Sequence, residues 1–214
     1  MADWEEVTGT SLDTLRRALL EARERRAALQ EQLFVRWRTP VISLTLVAPG
    51  PRKRTARHIR AARLGRLACL RALARQHHHV FEEYWYVDEA GPVWLAAVEG
   101  TAERLKHLAA GIEDSLAWGR LLDIDVLAPL RGEYGTLLPL HREQCILPGM
   151  PKLQPRSCLV CSRPAQLCMA SHRHTLAALE AACESLLQLA DGQPALTQCK
   201  GCHPASLRRE GAFS

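Results

Sequence analysis

No apolar run in this sequence approaches the ~20 residues needed to cross a bilayer, which excludes an α-helical membrane span. The opening decapeptide, MADWEEVTGT, is acidic and has no apolar h-region, so it does not read as a secretory signal; the cytoplasm is the expected location. There is no internal repeat and no low-complexity tract, which excludes a solenoid or an array. No RNP-like aromatic motif is present, so nothing marks a sheet built to stack nucleic-acid bases. Residues 52–75 contain no acid at all.

Against those absences stand 214 residues, enough for one domain with appendages or two small ones. Apolar content is 47% and charged content 24%, as in an ordinary globular chain. The net charge of +5 permits an anionic partner without requiring one. Eight cysteines in a reducing compartment read as thiols, metal ligands or catalytic groups rather than as a disulfide frame.

Residues 11–33 place Leu12, Leu15, Leu19, Ala22, Leu29 and Leu33 at helical spacing, with Arg23, Arg25 and Arg26 expected on a solvated face. PVISLTLVAP alternates Ile42, Leu44 and Leu46 with Ser43 and Thr45, a strand stopped by Gly50-Pro51. Residues 55–76 read as a second helix. VFEEYWYV and PVWLAAV form a hairpin around DEAG. TAERLKHLAAGIEDSL is a third helix, and GRLLDIDVLAP a fourth strand.

The order β-α-β-β-α-β predicts an α+β fold with a ferredoxin-like core, helices on one sheet face and the other face left for a ligand or partner. The predicted organisation is an N-terminal helical segment over 1–38 and an α+β catalytic core over 39–140. A Cys-rich segment with a C-terminal helix follows over 141–192, then a flexible tail over 193–214. Residues 130–157 read as loop, and so does His77-His78-His79.

Three constellations carry chemistry. Asp123 and Asp125 are i and i+2 on a strand, so their Cα atoms lie roughly 6.7 Å apart on one face. Two carboxylates at that spacing can share Mg²⁺ with substrate phosphates, or can be a solvated strand face; Glu82 or Glu113 could complete such a site. Residues 52–75 hold eight arginines and one lysine after a strand-ending APG. Arg52, Lys53 and Arg54 would flank a helix N-terminus near Thr55, which suits a polyphosphate; a solvated basic face or a nucleic-acid face are the alternatives. Cys158-x2-Cys161-x6-Cys168-x5-His174 has a knuckle-like first pair, with His172 spare. It reads as structural zinc or as unmetallated thiols, with a redox pair a further option. CKGCH at 199–203 matches covalent haem attachment, but without an export signal the match is taken as accidental.

LLEARERRAALQEQL, PVISLTLVAPGPRK, GRLLDIDVLAP and PRSCLVCSRPAQLCMASHRH, in that order, resemble the holo-citrate-lyase synthase (CitX) family. The resemblance implies a nucleotidyltransferase-type enzyme. It would move the phosphoribosyl-dephospho-CoA group from 2'-(5''-triphosphoribosyl)-3'-dephospho-CoA to a serine of the citrate lyase acyl-carrier (gamma) subunit, releasing pyrophosphate. Under that reading Asp123 and Asp125 hold Mg²⁺, and Glu113 is a third ligand or the base. Arg52, Lys53 and Arg120 bind the triphosphate with backbone N–H groups near Gly50, and the zinc-type cluster is structural.

The sequence departs from the family where Leu116 replaces an expected histidine, where Arg54 and Thr55 replace an Asp or Asn and a Ser, and at Ala170. Such changes suit a divergent relative acting on another carrier, such as that of malonate decarboxylase. A non-enzymatic zinc-containing adaptor for nucleic acid or protein is the competing reading. No membrane or nucleic-acid partner is expected of the enzyme.

Overall fold

The computed structural model describes residues 12–129 and 136–193. Helix α1 spans Leu12–Trp37, strand β1 Val41–Leu46 and helix α2 Ala56–Arg75. The hairpin strands are β2 (Val80–Asp88) and β3 (Gly91–Val98), followed by α3 (Ala102–Ser115) and β4 (Leu122–Pro129). A short β5 (Leu137–Pro139), a short α4 (Ala165–Ala170) and α5 (Leu176–Asp191) complete the chain. The predicted tail and CKGCH lie outside the described residues, apart from Gln193.

Helix starts follow local chemistry. Thr55, Thr101 and Thr175 each sit in extended backbone before a helix and accept a hydrogen bond from the N–H three residues on. Such a cap is worth about 1 kcal/mol over alanine.

The sheet has the order β2-β3-β1-β4-β5, and every neighbouring pair is antiparallel. The register sets Ser43 opposite Asp125 and Thr45 opposite Asp123. On one face Ile42, Leu44, Trp94, Ala96, Leu122, Ile124 and Val126 pack with α2, α3 and α5 into the main core.

The opposite face is not left free, contrary to the sequence reading. Leu33 and Phe34 of α1 pack there on Val41, Val93, Leu95, Ala97 and Leu127, and Trp37 stacks on Phe81. The physical reason is legible in β3, where all eight residues are buried. A strand that is apolar on both sides needs a cover on both sides. The segment read as loop over 130–157 also holds β5 and a 3₁₀ turn at Arg142–Gln144. At 77–79 the loop reading agrees with a turn in which the His78 ring contacts the Glu99 carbonyl at 2.8 Å.

The loop between α3 and β4 is set by a close approach. A Cβ on Gly119 would come 2.1 Å from the Glu113 carbonyl oxygen, so only glycine lets the chain turn there into the aspartate-bearing strand. Gly119→Ala is expected to destabilise the protein by about 2 kcal/mol or more, through overpacking against backbone that cannot yield. The check is urea unfolding, with a lowered midpoint at an unchanged slope.

Candidate functional site

Strand β4 has β1 on one side, but β5 pairs only with Leu127–Pro129. Among the described residues, no strand pairs with the other edge from Leu122 to Val126. Buried backbone groups need partners, and here they come chiefly from side chains. Ile124 N–H donates to Glu113 Oε1 at 2.7 Å, and Lys106 Nζ donates to the Ile124 carbonyl at 3.1 Å. Arg156 donates to the Leu122 carbonyl, and Leu140 N–H to the Val126 carbonyl at 2.8 Å.

The same side chains surround the paired carboxylates. Arg156 Nη1 donates to Asp123 Oδ1 at 2.5 Å, and Lys106 Nζ lies 3.5 Å from Asp125. Alternation turns Leu122, Ile124 and Val126 into the core and leaves Asp123 and Asp125 half-buried on the α1 face. Burial, together with the Asp123 charge, holds the Asp125 carboxyl above its usual range, although Lys106 and Arg156 act the other way.

Glu113 is buried, and both its oxygens are engaged. Oε1 meets Ile124 N–H, and Oε2 accepts from Arg142 Nη2 at 2.5 Å. Burial raises its pKa, while Arg156, Arg142 and the Ile124 N–H oppose the rise. Arg142 also holds Asp114 at 3.1 Å and the Gln154 carbonyl at 3.0 Å. Glu113 thus faces the strand edge and offers no open oxygen to a metal or to an incoming hydroxyl. Glu82 lies on β2, at the far side of the sheet, taken up by Trp37, Arg36 and Tyr84.

The basic candidates are dispersed. Gly50 adopts φ 75°, and a Cβ there would meet Glu180 at 2.2 Å. Arg52 lines a cleft of ≈ 620 Å³ with Thr55, His58, Glu180 and Glu184, on the α5 side of the sheet. Lys53 sits against the β2–β3 turn: its carbonyl lies 2.9 Å from where a Gly91 Cβ would be, and its pKa is lowered by burial and by Arg23. Arg120 donates to the Cys158 and Leu159 carbonyls at 3.0 and 3.2 Å, so it anchors the Cys-rich segment.

Part of the positive charge of α2 and of the turn before it is matched within the fold. Arg57 pairs with Glu184 and Asp191, Arg60 with Asp191 at 3.5 Å, Arg66 with Glu83 at 2.5 Å, and Arg54 with Glu89 at 2.9 Å. Arg57, Arg60 and Arg66 of that helix are thus matched by acids, which lowers the positive charge available to a nucleic-acid phosphate backbone.

The cysteine set does converge. The ligand atoms of Cys158, Cys161, Cys168 and His174 all lie within 4.8 Å of one another, and the Cys161 and Cys168 sulfurs are 3.5 Å apart. His174 Nε2 is buried without a hydrogen-bond partner. Burial alone would raise the Cys158 thiol. The Cys161 and Val160 N–H groups and the neighbouring thiols outweigh that and hold it below the usual value. Cys168 is pushed up to about 11 by burial and by the Cys161 and Cys158 thiols. Three soft sulfurs and one imidazole form a closed four-ligand set compatible with zinc. His172, the spare candidate, is not in it.

Sequence reasoning missed Lys106, Arg142 and Arg156. Arg156 lies in the quoted PRSCLVC stretch, and Lys106 is a cation inside the apolar stripe of α3; either could have been noticed. Arg142 carries no local signal. Leu116, where a histidine was expected, lines a cleft of ≈ 350 Å³ with Glu113, Arg142 and Arg156.

A carboxyl whose folded pKa lies above its unfolded value stabilises the fold when protonated, and that contribution is lost as pH rises through the folded pKa. Asp125→Asn is therefore expected to raise Tm at neutral pH. The gain should shrink on acidification, as the wild-type carboxyl takes up its proton. Thermal unfolding of both proteins at neutral and mildly acidic pH checks the sign.

A family model described as apo-citrate lyase phosphoribosyl-dephospho-CoA transferase matches residues 14–190. Proteins of that name from Escherichia coli O139:H28 and Shigella boydii serotype 18 are each 36% identical over 174 residues, spanning 81% of this chain and 88% of theirs.

Proposed function

We propose, since the chain belongs to the apo-citrate lyase phosphoribosyl-dephospho-CoA transferase family, that it is the cytoplasmic enzyme that completes the acyl-carrier (gamma) subunit of citrate lyase. The donor is 2'-(5''-triphosphoribosyl)-3'-dephospho-CoA. A serine oxygen of the carrier attacks the α-phosphorus and forms a phosphodiester. The bond to the β-phosphate oxygen breaks, pyrophosphate leaves, and the hydroxyl proton is given up to a base.

The observation that supports this reading best is the Asp123–Asp125 pair on the half-open face of β4. Its carboxylates are hard oxygen donors, and Asp125 is raised partly by Asp123, so the pair gains from added positive charge. That donor set fits Mg²⁺, which takes one or two carboxylates together with phosphate oxygens. Such an ion, when bound, neutralises phosphate charge. The chain's own residues do the rest. Lys53 meets the triphosphate from the turn before α2, while Gly50 and Arg52 face α5 instead. Arg156 orients Asp123, and Lys106 orients Asp125. Glu113 is a positioning residue that fixes the β4 edge and Arg142, and Arg120 locks the Cys-rich segment beside them.

The four-strand core is assigned to the ferredoxin-like class. The antiparallel order β2-β3-β1-β4, with α2 and α3 as crossovers, supports the assignment. Among the described residues, no helix is long and apolar enough to cross a membrane.

Zinc is the assigned occupant of Cys158, Cys161, Cys168 and His174, with a structural role. The purified protein is expected to carry about one equivalent by elemental analysis, since a closed Cys3His set binds one ion. Cys161→Ser should lose it together with thermal stability.

The transfer itself is read by intact mass. Apo carrier incubated with the enzyme, Mg²⁺ and the donor should gain the mass of the prosthetic group. Asp123→Asn should slow that gain roughly hundredfold or more, as expected when charge stabilisation at a phosphoryl centre is removed. No gain under conditions where a relative works would overturn the assignment. A gain only on the malonate decarboxylase carrier would keep the chemistry and change the acceptor.

A further inference from the structure

Helix α3 is used on more than its β4 side. Lys106 and Glu113 reach the strand edge, whereas His107, Gly111 and Ser115 recur every fourth residue and form a separate stripe. That stripe borders a cleft of ≈ 760 Å³ between α3, the last turn of α2 and the chain over 147–150. Leu108 and Ile112 on α3 and Leu147, Pro148 and Met150 of the later loop give it an apolar lining. Its volume falls in the range of small-molecule sites, roughly 300–1,000 Å³.

Two features of the stripe are not explained by the fold itself. Gly111 stands inside α3, where glycine is among the poorest helix formers. Packing does not require it, since a Cβ built there meets nothing within 4 Å. Gly65 in α2 is the contrast, because its Cβ would come 2.6 Å from Leu122. The missing side chain at Gly111 instead leaves helix backbone open to the cleft. His107, which lines the same cleft, is only 9% exposed, and its Nε2 is buried with no hydrogen-bond partner among the described residues. Buried polar atoms are normally paired.

The rest of the lining narrows the ligand. Among the described residues, no aspartate or glutamate borders the cleft, and the exposed Arg104 brings a cation to it. Ser115 Oγ donates to the Ile112 carbonyl at 3.3 Å, which leaves its oxygen free to accept. His107 Nε2 donates or accepts according to its tautomer. A flat base fits over bare helix backbone between aliphatic side chains. With a donor and an acceptor on its edge it satisfies Ser115 and His107, and an attached phosphate satisfies Arg104. Adenine nucleotides have all of these parts. Ser115 lines this cleft, and Leu116 lines the smaller one that holds Arg142 and Arg156, where Arg156 is bonded to Asp123. The two clefts therefore meet consecutive residues at the C-terminal end of α3.

We infer that the cleft between α2, α3 and residues 147–150 is an adenine-nucleotide subsite that takes the dephospho-CoA part of the donor. The base lies over Gly111, with its edge at His107 Nε2 and Ser115 Oγ and its 5'-phosphates at Arg104. The triphosphoribosyl arm then passes the end of α3 at Ser115 and Leu116, toward Arg156 and Asp123. The inference rests on the transferase reading for the identity of the natural ligand.

The test is titration calorimetry on the full chain with dephospho-CoA, and with ADP, adenosine and pantetheine as partial probes. The wild type should bind dephospho-CoA and ADP, and pantetheine far more weakly. Gly111→Ala should raise Tm, because a methyl group there improves the helix and meets nothing. Gly111→Phe should fold and weaken dephospho-CoA and ADP roughly tenfold or more, by filling the space over the helix. Arg104→Gln should weaken ADP roughly tenfold and leave adenosine unaffected. In the transfer assay, Gly111→Phe should raise KM for the donor and leave KM for the carrier alone. The subsite is overturned if the wild type binds neither dephospho-CoA nor ADP, or if Gly111→Phe binds them as tightly as the wild type. It is also overturned if Gly111→Ala lowers Tm, if pantetheine rather than ADP depends on position 111, or if Arg104→Gln weakens adenosine as much as ADP. Binding is read without turnover. Position-111-dependent binding in a protein that modifies no carrier would support the subsite and sink only the transferase reading, whereas carrier modified by Gly111→Phe at an unchanged donor KM would do the reverse.

Discussion

The unpaired edge of β4 between Leu122 and Val126 is the constraint that organises this molecule. An edge strand packed under a helix must have its N–H and C=O groups satisfied by something other than a strand. Glu113 and Lys106 come from α3, and Arg156 from the segment before the cysteines; between them they supply those hydrogen bonds. Each is a charged group brought to low-dielectric surroundings, so each needs compensation. Glu113 recruits Arg142, Lys106 faces Asp125, and Arg156 faces Asp123. The paired aspartates therefore sit in a charge network that exists because a strand edge had to be closed.

The same requirement explains why the Cys-rich segment lies where it does. Arg156 immediately precedes the Ser157–Pro164 bridge, and Arg120, in the turn just before β4, holds the Cys158 and Leu159 carbonyls. A segment with a short helix and few apolar residues cannot be held by burial alone. Its convergent thiols and the orphaned His174 nitrogen supply a set of ligands in place of a core. Leu159 is the exception that enters the main core beside α5.

Charge is distributed differently from what its density along the chain suggests. The arginine-rich α2 looks like the positive face of the protein, yet α5 and the β2–β3 hairpin bring acids against it. The shorter run in α1 looks solvated, yet that helix lies over a sheet face that carries two carboxylates. Free positive charge depends on which helices pack together, and sequence density does not report it.

What the sequence determined by itself is whatever repeats locally or closes over a few residues. Alternation at Leu122, Ile124 and Val126 fixed which side of β4 is buried, and with it the shared face of Asp123 and Asp125. Threonine caps and apolar periodicity fixed the helices, and the Cys158–Cys161 spacing anticipated one corner of the metal-type site. Tertiary structure alone decided that α1 covers the second sheet face and that Glu113 is spent on the strand edge. It alone separated Arg52, Lys53 and Arg120, and it brought Arg142 and Arg156 across some thirty residues to the site. The reason is the range of the forces involved. Period and capping depend on neighbours in the chain, whereas compensation of a buried charge or an unpaired strand edge depends on whichever groups the packed fold brings within about 3 Å.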